Sequence, residues 1–285
     1  MGTIIATGLT FPEGPLFTTD GRTLCVQIGT GEISEVRDGE VRRAVYVRGA
    51  PHAVIEGTDG WLYVTQAGKV TIGEHVTPDP VPAGIQRVSP DGEVSYVVSA
   101  EEHPEISSPN DLCFGPDGRL YFTDTGGSFN PEDTTQVGKI FAVDAAGNLE
   151  VVAALGSVFT NGIAFDRRGR LLWTETYPGV LCRMEDGERR VVADPGEGIF
   201  TDGVKATRDG RLFLATVNGG AVLVLAEEGT RLDELKAGGW TTNVNFRGST
   251  LLVTDFRDFM ADAADGVIYE FPTDVEEQIL YRGRV

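Results

Sequence analysis

The chain has 285 residues, of which 41% are hydrophobic and 37 are glycine. With 43 acidic against 24 basic residues, its formal net charge is −19 at pH 7, and no cluster of lysine or arginine interrupts the sequence. Phosphate backbones and anionic lipids would be repelled, which argues against a nucleic acid or a membrane as partner. The glycine and apolar content is typical of many short strands joined by tight turns, not of a disordered chain.

Three cysteines, Cys25, Cys113 and Cys182, lie far apart in or beside apolar segments, which predicts buried thiols and no disulfide. The first residues lack the basic region and apolar stretch of a secretion signal, and no run approaches the roughly 18 apolar residues of a membrane span. We therefore expect a cytoplasmic protein. A mature chain whose signal had been removed would give the same pattern.

In chain order, residues 3–6 form a short apolar strand, and six similar units follow it. Each unit contains a turn ending in glycine, then an apolar strand that usually ends in Thr, Asp or Glu, and then a second glycine with an alternating strand. The spacing is near the length of one four-stranded propeller blade. The first glycines are Gly21, Gly60, Gly118, Gly169, Gly210 and Gly248, which lie 39, 58, 51, 41 and 38 residues apart.

Each unit therefore supplies an inner strand, the repeated strand, a third strand and an outer strand. Residues 3–6 are expected to be the outer strand of the last unit and to close the ring. Helical repeats fit poorly, because no segment has an apolar period of 3.6 residues over three turns. The sequence thus predicts an all-β, single-domain six-bladed β-propeller over residues 1–285, with four antiparallel strands per blade.

A polar residue stands at the start of each inner strand, at the position that faces the axial tunnel of a propeller. Taken singly, Asn-Gly and Asp-Gly are turn dipeptides, but in a ring of blades equivalent positions converge on one axis. Two carboxylates and several amide oxygens in one small volume would repel one another or lack partners without a cation. The six residues are Glu13, His52, Asn110, Asn161, Asp202 and Asn243.

Oxygen ligands of this kind favour Ca²⁺, with Mg²⁺ or Mn²⁺ as alternatives, and Zn²⁺ is less suited because thiolates and multiple imidazoles are missing. We predict a central metal site at one mouth of the propeller. Strand direction places the insertions 67–83, 125–137 and 256–265 at the same mouth. Asp124, which ends the repeated strand of the third unit, is interpreted either as part of this site or as a turn cap.

These residues resemble the SMP-30/gluconolactonase/luciferin-regenerating enzyme family, the regucalcin-like propeller lactonases. The resemblance implies that Glu13, Asn161 and Asp202 bind a catalytic divalent metal and that Asp202 is the acid/base. It also implies that Asn110 holds a metal-bound water or the substrate, with direct contact to the metal as an alternative. The motifs, in family order, are Pro12-Glu13-Gly14-Pro15, Pro109-Asn110-Asp111, residues 117–124, Thr160-Asn161-Gly162-Ile163-Ala164-Phe165 and Thr201-Asp202-Gly203.

The sequence departs from the sugar lactonases of this family at one position. Their substrate-binding arginine, two residues before the asparagine, is Ser108 here, so recognition of a polyhydroxylated sugar lactone is not implied. His52, together with Trp240 and Phe159 near other inner-strand starts, indicates a less polar pocket. The predicted substrate-binding residues are His52, Ser108, Asn110, Asp124 and Asn243.

The leading functional hypothesis is metal-dependent hydrolysis of a lactone, with the metal polarising the carbonyl and Asp202 transferring protons. Alternatives are a phosphotriesterase-like activity in which Asp202 attacks phosphorus, a biosynthetic step on a cyclic ester or related electrophile, and a non-catalytic binding propeller with a structural ion. His52 either assists catalysis or is a hydrogen-bonded spacer. A serine hydrolase is disfavoured, since the sequence has no Gly-x-Ser-x-Gly elbow.

Overall fold

The computed structural model describes residues 2–257, 265–275 and 278–285, and it consists of six four-stranded antiparallel sheets and one short hairpin. The strands of each blade are given from the inner to the outer one. Blade 1 contains β2 (Pro12–Phe17), β3 (Thr23–Gln27), β4 (Glu32–Arg37) and β5 (Glu40–Tyr46), and blade 2 contains β6 (Pro51–Glu56), β7 (Leu62–Gln66), β10 (Gly84–Val88) and β11 (Val94–Ser99). Blade 3 contains β12 (Pro109–Phe114), β13 (Leu120–Asp124), β14 (Gly138–Val143) and β15 (Leu149–Gly156).

The second half of the chain repeats this arrangement. Blade 4 contains β16 (Thr160–Phe165), β17 (Leu171–Glu175), β18 (Val180–Glu185) and β19 (Glu188–Ala193), and blade 5 contains β20 (Thr201–Ala206), β21 (Leu212–Thr216), β22 (Ala221–Leu225) and β23 (Arg231–Lys236). Blade 6 contains β24 (Trp240–Arg247), β25 (Thr250–Phe256) and β26 (Gly266–Pro272), and its outer strand is β1 (Thr3–Leu9). The hairpin pairs β8 (Thr71–Ile72) with β9 (His75–Val76) in the first insertion.

Pairing of β1 with β26 joins the two ends of the chain in one blade, with Thr3 opposite Glu270 and Thr7 opposite Val267. The prediction of a six-bladed propeller closed by its first strand is therefore confirmed. The glycines of the repeated phrase all have positive φ, between 56° and 90°, which is a conformation that glycine adopts without strain. The repeated glycine thus marks a left-handed turn that connects the first and second strands of every blade.

The core lies between neighbouring blades. Every residue of β16 and β20 is buried, whereas most of β5 and β23 is exposed. Large side chains such as Tyr63, Phe122 and Trp173 are fully buried, and burial of apolar area at about 25 cal/mol per Å² is the main stabilising contribution of these contacts. Across the described ranges, no helix is long and apolar enough to cross a membrane.

The segment 278–285 crosses the face of the propeller opposite the predicted site. Its Ile279 N–H donates to the Ala206 carbonyl of blade 5 at 2.8 Å, and its Gln278 Oε1 accepts from the Phe246 N–H of blade 6 at 3.0 Å. At its far end the Val285 carbonyl accepts from the Tyr63 hydroxyl of blade 2 at 3.1 Å. The segment leaves only a small cavity of about 60 Å³ above the inner strands.

Candidate active site

The polar residues at the inner-strand starts lie within the strands and not in turns before them. Asn110, Asn161 and Asp202 are each the second residue of their strand. Each falls where the pairing to the next strand is interrupted by a β-bulge, and all six inner strands carry such an interruption. A bulge re-aims side chains next to it. The turn interpretation of the Asn-Gly and Asp-Gly pairs is therefore wrong.

The glycines after Asn161 and Asp202 are required by close packing of the inner strands. A Cβ on Gly162 would lie 2.4 Å from the Asp202 carbonyl oxygen, and one on Gly203 would lie 2.3 Å from Asn243 Oδ1. Both contacts are far inside van der Waals distance, so only glycine allows neighbouring blades to approach this closely.

Six of the predicted residues meet in one cavity of about 300 Å³ at the mouth of the tunnel. Two predicted residues, Asp124 and Asn243, do not line it, and Thr242 stands in the place expected for Asn243. The strand pairing explains this shift, because the bulge of β24 lies between Thr241 and Asn243 and so includes Thr242. The residues that line the floor are Glu13, His52, Ser108, Asn110, Asn161 and Asp202, joined by Thr176 and Thr242.

The threonines that stand one residue before the end of three repeated strands fix the main chain of the floor residues. Each is fully buried and donates its hydroxyl to the carbonyl of the floor residue in the next blade. These bonds register one blade against its neighbour at the height of the site. They run from Thr65 to the carbonyl of Asn110, from Thr123 to that of Asn161 at 2.5 Å, and from Thr174 to that of Asp202 at 2.8 Å.

The Glu13 carboxylate is buried and held in place by two donors. Its Oε2 accepts from the Gly14 N–H at 2.8 Å and from Asn243 Nδ2 at 3.0 Å. Burial outweighs these bonds and raises the pKa of Glu13 to about 7, with a further upward contribution from the negative charge of Asp111. Asn243 thus contacts the site through Glu13.

Two floor oxygens have no hydrogen-bond partner. Asn161 donates its Nδ2 to Thr176 Oγ1 at 3.2 Å, which leaves its buried Oδ1 unpaired, and the buried Oδ1 of Asp202 is also unpaired. Burial, followed by the negative charge of Glu13, raises the pKa of Asp202 well above its usual range. Buried polar atoms normally have partners, so these oxygens are suited to an external cation.

The donor set consists of two carboxylates and two amides. Within the part of the chain that the structure describes, no group of three or more His, Cys, Asp or Glu could hold a metal ion. Carboxylate and amide oxygens are the donors that hard cations such as Ca²⁺ take. Glu13, Asn161 and Asp202, with Asn110 beside them, therefore fit a hard divalent cation.

His52 presents a neutral imidazole to the cavity. Its Nδ1 lies 3.0 Å from the carbonyl oxygen of Ala50, and because a carbonyl only accepts, Nδ1 carries the proton and Nε2 is the basic atom. Burial lowers the pKa of His52 to about 4, against a smaller upward effect of this hydrogen bond.

Asp124 caps the loop that leads into blade 3. Its carboxylate accepts from the N–H groups of Ser107 at 2.7 Å, Ser108 at 3.0 Å and Gly126 at 2.9 Å. Burial raises its pKa in spite of these bonds. Of the two interpretations of Asp124, the structure describes the cap, through which Asp124 fixes the main chain at Ser108.

An ion pair that the sequence did not reveal lies deeper in the tunnel. Lys205 Nζ is 3.4 Å from Asp111 Oδ2, and both side chains are almost fully buried. The Ile163 N–H also donates to Asp111 Oδ2, at 3.3 Å. Asp111 follows Asn110 directly in the resemblance motif, but Lys205 is separated from it by two blades, so only the ring geometry brings the pair together.

Taken together, these features define a six-bladed propeller with an acidic, oxygen-rich floor at one mouth. The sequence matches the family described as SMP-30/Gluconolactonase/LRE-like region over residues 11–257, and the chain belongs to that family. A search of curated protein sequences gave no significant match.

Solved structures share the fold at low sequence identity. Regucalcin from Agrobacterium tumefaciens, described as a calcium-binding protein, has a TM-score of 0.81 and 21% identity, over 100% of this chain and 98% of its own. A gluconolactonase from Xanthomonas campestris has a TM-score of 0.75 and 20% identity, over 95% and 88%. A luciferin-regenerating enzyme has a TM-score of 0.76 and 16% identity, over 98% and 97%.

Proposed function

We propose that the protein is a divalent-metal-dependent hydrolase of a cyclic ester, that is, a lactonase. The observation that carries the proposal is the pair of buried, unpartnered oxygens, Asn161 Oδ1 and Asp202 Oδ1, on the floor that Glu13 shares. Family membership and the similarity to a gluconolactonase support the reaction class. The similarity to a calcium-binding regucalcin supports Ca²⁺ as the ion.

Glu13, Asn161 and Asp202 would hold the cation, and Asn110 would lie beside it. When bound, a cation at this floor acts as a Lewis acid that polarises the ester carbonyl. With such a cation bound, the two carboxylates would be ionised at neutral pH, because a nearby positive charge lowers the pKa of a carboxyl group. Ca²⁺ takes six to eight oxygen ligands, so this small protein set leaves room for water and substrate.

The chain's own groups carry the proton transfers. Asp202 accepts a proton from the attacking water and returns it to the alkoxide that leaves when the ring opens. Asn110 has an amide on the same floor to orient the substrate or the water. His52 is neutral at physiological pH, and its bare Nε2 accepts a hydrogen bond from a hydroxyl group in the cavity without adding positive charge.

The test combines elemental analysis of the purified protein with hydrolysis of aliphatic, aromatic and sugar lactones and of paraoxon, before and after treatment with EGTA. We expect bound Ca²⁺ and lactone turnover that EGTA abolishes and Ca²⁺ restores. Asp202→Asn should abolish turnover while the circular dichroism spectrum is unchanged, and Asp233→Asn, an exposed carboxylate in the same blade, should be fully active.

Three outcomes would contradict the proposal. Full lactonase activity in the Asp202→Asn variant would exclude Asp202 as the proton acceptor. Preferential hydrolysis of paraoxon would indicate a phosphotriesterase. Bound metal without turnover of any substrate would indicate a binding propeller with a structural ion.

A further inference from the structure

The cavity above the floor is bounded by two groups of apolar side chains. We call the group Phe129, Phe159, Tyr177 and Phe200 the Phe159 wall. The second group, the Phe256 wall, comprises Ile28, Val70, Ile72, Trp240 and Phe256.

The two walls face each other across the axis. The Phe159 wall comes from the mouth ends of blades 4 and 5 and from the insertion of blade 3, whereas the Phe256 wall comes from blades 6 and 1 and the insertion of blade 2. In a ring of six blades, blade 1 is opposite blade 4, blade 2 opposite blade 5 and blade 3 opposite blade 6. A molecule in the cavity therefore has a mainly apolar surface on either side, interrupted by Thr71 and Ser128, and the polar floor beneath it.

Phe129 joins the Phe159 wall from another blade. Its ring makes edge contacts with Phe159, Tyr177 and Phe200, at centroid distances of 5.4, 5.5 and 5.6 Å. The next residue, Asn130, donates its N–H to the Tyr177 hydroxyl at 2.8 Å. The insertion 125–137 of blade 3 is thus anchored over blades 4 and 5 by an aromatic side chain that is 47% exposed.

The backbone gives an independent sign that these aromatic positions serve a ligand. Phe11 and Phe159 occupy equivalent positions, two residues before Glu13 and Asn161, and both have left-handed φ, 51° and 53°. This conformation is strained for a bulky residue. Phe159 lines the cavity, and Phe11 supports Phe256 by an edge contact at 5.4 Å. Strain retained at both walls is typical of a binding site.

The charges around the cavity restrict the ligand further. Among the lining residues that the structure describes there is no lysine or arginine, and the only charged side chains are Glu13 and Asp202 on the floor. An anionic substrate would find no side-chain cation. A polyol would place most of its hydroxyl groups against apolar side chains that cannot satisfy their hydrogen bonds, which weakens its binding relative to an apolar molecule of equal size.

From this arrangement we infer that the substrate is a neutral lactone with an aryl or alkyl substituent, held with its ester on the floor and its substituent between the two walls. This inference rests on the proposed lactonase function. Glu13, Asn161 and Asp202 serve the ester, while Phe129, Phe159 and Phe200 determine specificity through contact with the substituent. A cavity of about 300 Å³ admits a five- or six-membered ring with such a group.

The first experiment measures hydrolysis by the Ca²⁺-loaded full chain of γ-butyrolactone, γ-hexyl-γ-butyrolactone, γ-phenyl-γ-butyrolactone and glucono-δ-lactone. We expect kcat/KM to rise about tenfold or more from the unsubstituted to the phenyl and hexyl compounds, because one well-buried apolar substituent contributes about that factor. Glucono-δ-lactone should be the poorest substrate. Equal or better hydrolysis of glucono-δ-lactone would overturn the inference.

The second experiment separates this inference from the proposed function, because it measures binding without turnover. Calorimetry with 5-phenyl-2-pyrrolidinone and 2-pyrrolidinone, lactams that resist hydrolysis, should show at least tenfold tighter binding of the phenyl compound. If no lactone is hydrolysed but this preference holds, the hydrolase proposal fails, and only the preference of the two walls for an apolar substituent stands. If lactones are hydrolysed without any preference in either assay, the specificity inference fails alone.

Variants locate the preference in the Phe159 wall. Phe129→Ala and Phe200→Leu should each reduce the preference for the phenyl lactam over 2-pyrrolidinone about tenfold. Leu232→Ala is the matched control, since Leu232 is an exposed apolar residue on the outer strand of blade 5, the blade that carries Phe200. An unchanged preference in both wall variants, with unchanged melting temperatures, would contradict the assignment.

Discussion

The Thr174 hydroxyl donates to the main-chain carbonyl of Asp202 across the boundary between blades 4 and 5, at 2.8 Å. The same relationship joins Thr123 to Asn161. The threonine near the end of the repeated strand therefore acts on the neighbouring blade, and Thr123 also accepts from the Asp111 N–H of its own blade at 3.0 Å. It makes the position of each floor residue depend on the packing of two blades.

Replacing Thr174 with valine should lower both stability and cation affinity. Valine keeps the shape of the side chain but leaves the buried Asp202 carbonyl unsatisfied, which costs about 1–3 kcal/mol in the free energy of unfolding. Urea titration measures this change, and calorimetry with Ca²⁺ measures the affinity. Thr230→Val, at an exposed turn of blade 5, is the control. Unchanged cation affinity in Thr174→Val would limit the role of Thr174 to blade packing.

Glu13→Gln should stabilise the metal-free protein at high pH and weaken cation binding. The pKa of Glu13 is raised to about 7, so its contribution to stability is fully present below about pH 4.5 and is lost as pH rises through 7. At pH 8 without metal, the variant should be more stable than the wild type by about 3 kcal/mol. With excess Ca²⁺ the order should reverse.

The measurement for Glu13 is thermal unfolding in EGTA and in Ca²⁺ between pH 5 and 8. The difference between variant and wild type, and not the wild-type curve alone, isolates Glu13 from other titrating groups. A difference that does not depend on pH would show that Glu13 is ionised with little penalty in the folded protein.

His52→Gln should make the protein less sensitive to mild acid. Burial lowers the pKa of His52 to about 4, so the neutral ring contributes stability above its unfolded pKa of about 6.5, and this contribution is lost as pH falls toward 4. Over this pH window the free energy of unfolding of the wild type should fall by about 2 kcal/mol more than that of the variant. Full burial would give a larger difference, but the edge of the ring faces the cavity. Parallel unfolding curves at pH 7 and pH 5 would contradict the assignment of a neutral ring.

Lys205→Met should destabilise the protein strongly, and a second substitution should recover it. Removing the ammonium leaves the Asp111 carboxylate buried without its charge partner, which costs about 3–5 kcal/mol. The double variant Asp111→Asn/Lys205→Met removes both charges and should regain most of that stability. Additive losses in a double-mutant cycle by urea unfolding would show that the two groups do not interact.

The sequence was sufficient for the fold and for most of the floor. Six glycine-containing turns set the number of blades, and ring geometry then brought Glu13, Asn110, Asn161 and Asp202 together. It did not separate Asn243 from Thr242, because the bulge that selects between them depends on pairing with β25. Nor did it settle Asp124, since a carboxylate at a strand end has the same pattern whether it caps a loop or lines a cavity.

Contacts between distant blades left no pattern in the sequence. Lys205 faces Asp111 from two blades away, and Phe129 contacts blades 4 and 5 from the insertion of blade 3. The repeat gives the position of an insertion along the chain but not its conformation, because its side chains pack on surfaces that the next blades supply. The proposed substrate specificity rests on the contacts of Phe129.

The segment 278–285 contacts five of the six blades on the far face, including blade 4 through Tyr281 and Phe165 and blade 3 through Gly283 and Phe114. It covers the axis at that end above a cavity of about 60 Å³, and among the described residues the site opens at the other mouth. In the proposed reaction, substrate and product would both pass through the opening between the two apolar walls. The product of that reaction, a ring-opened hydroxy acid, would be charged and more polar than its lactone. The apolar walls would therefore favour entry of the next uncharged lactone over re-entry of the product.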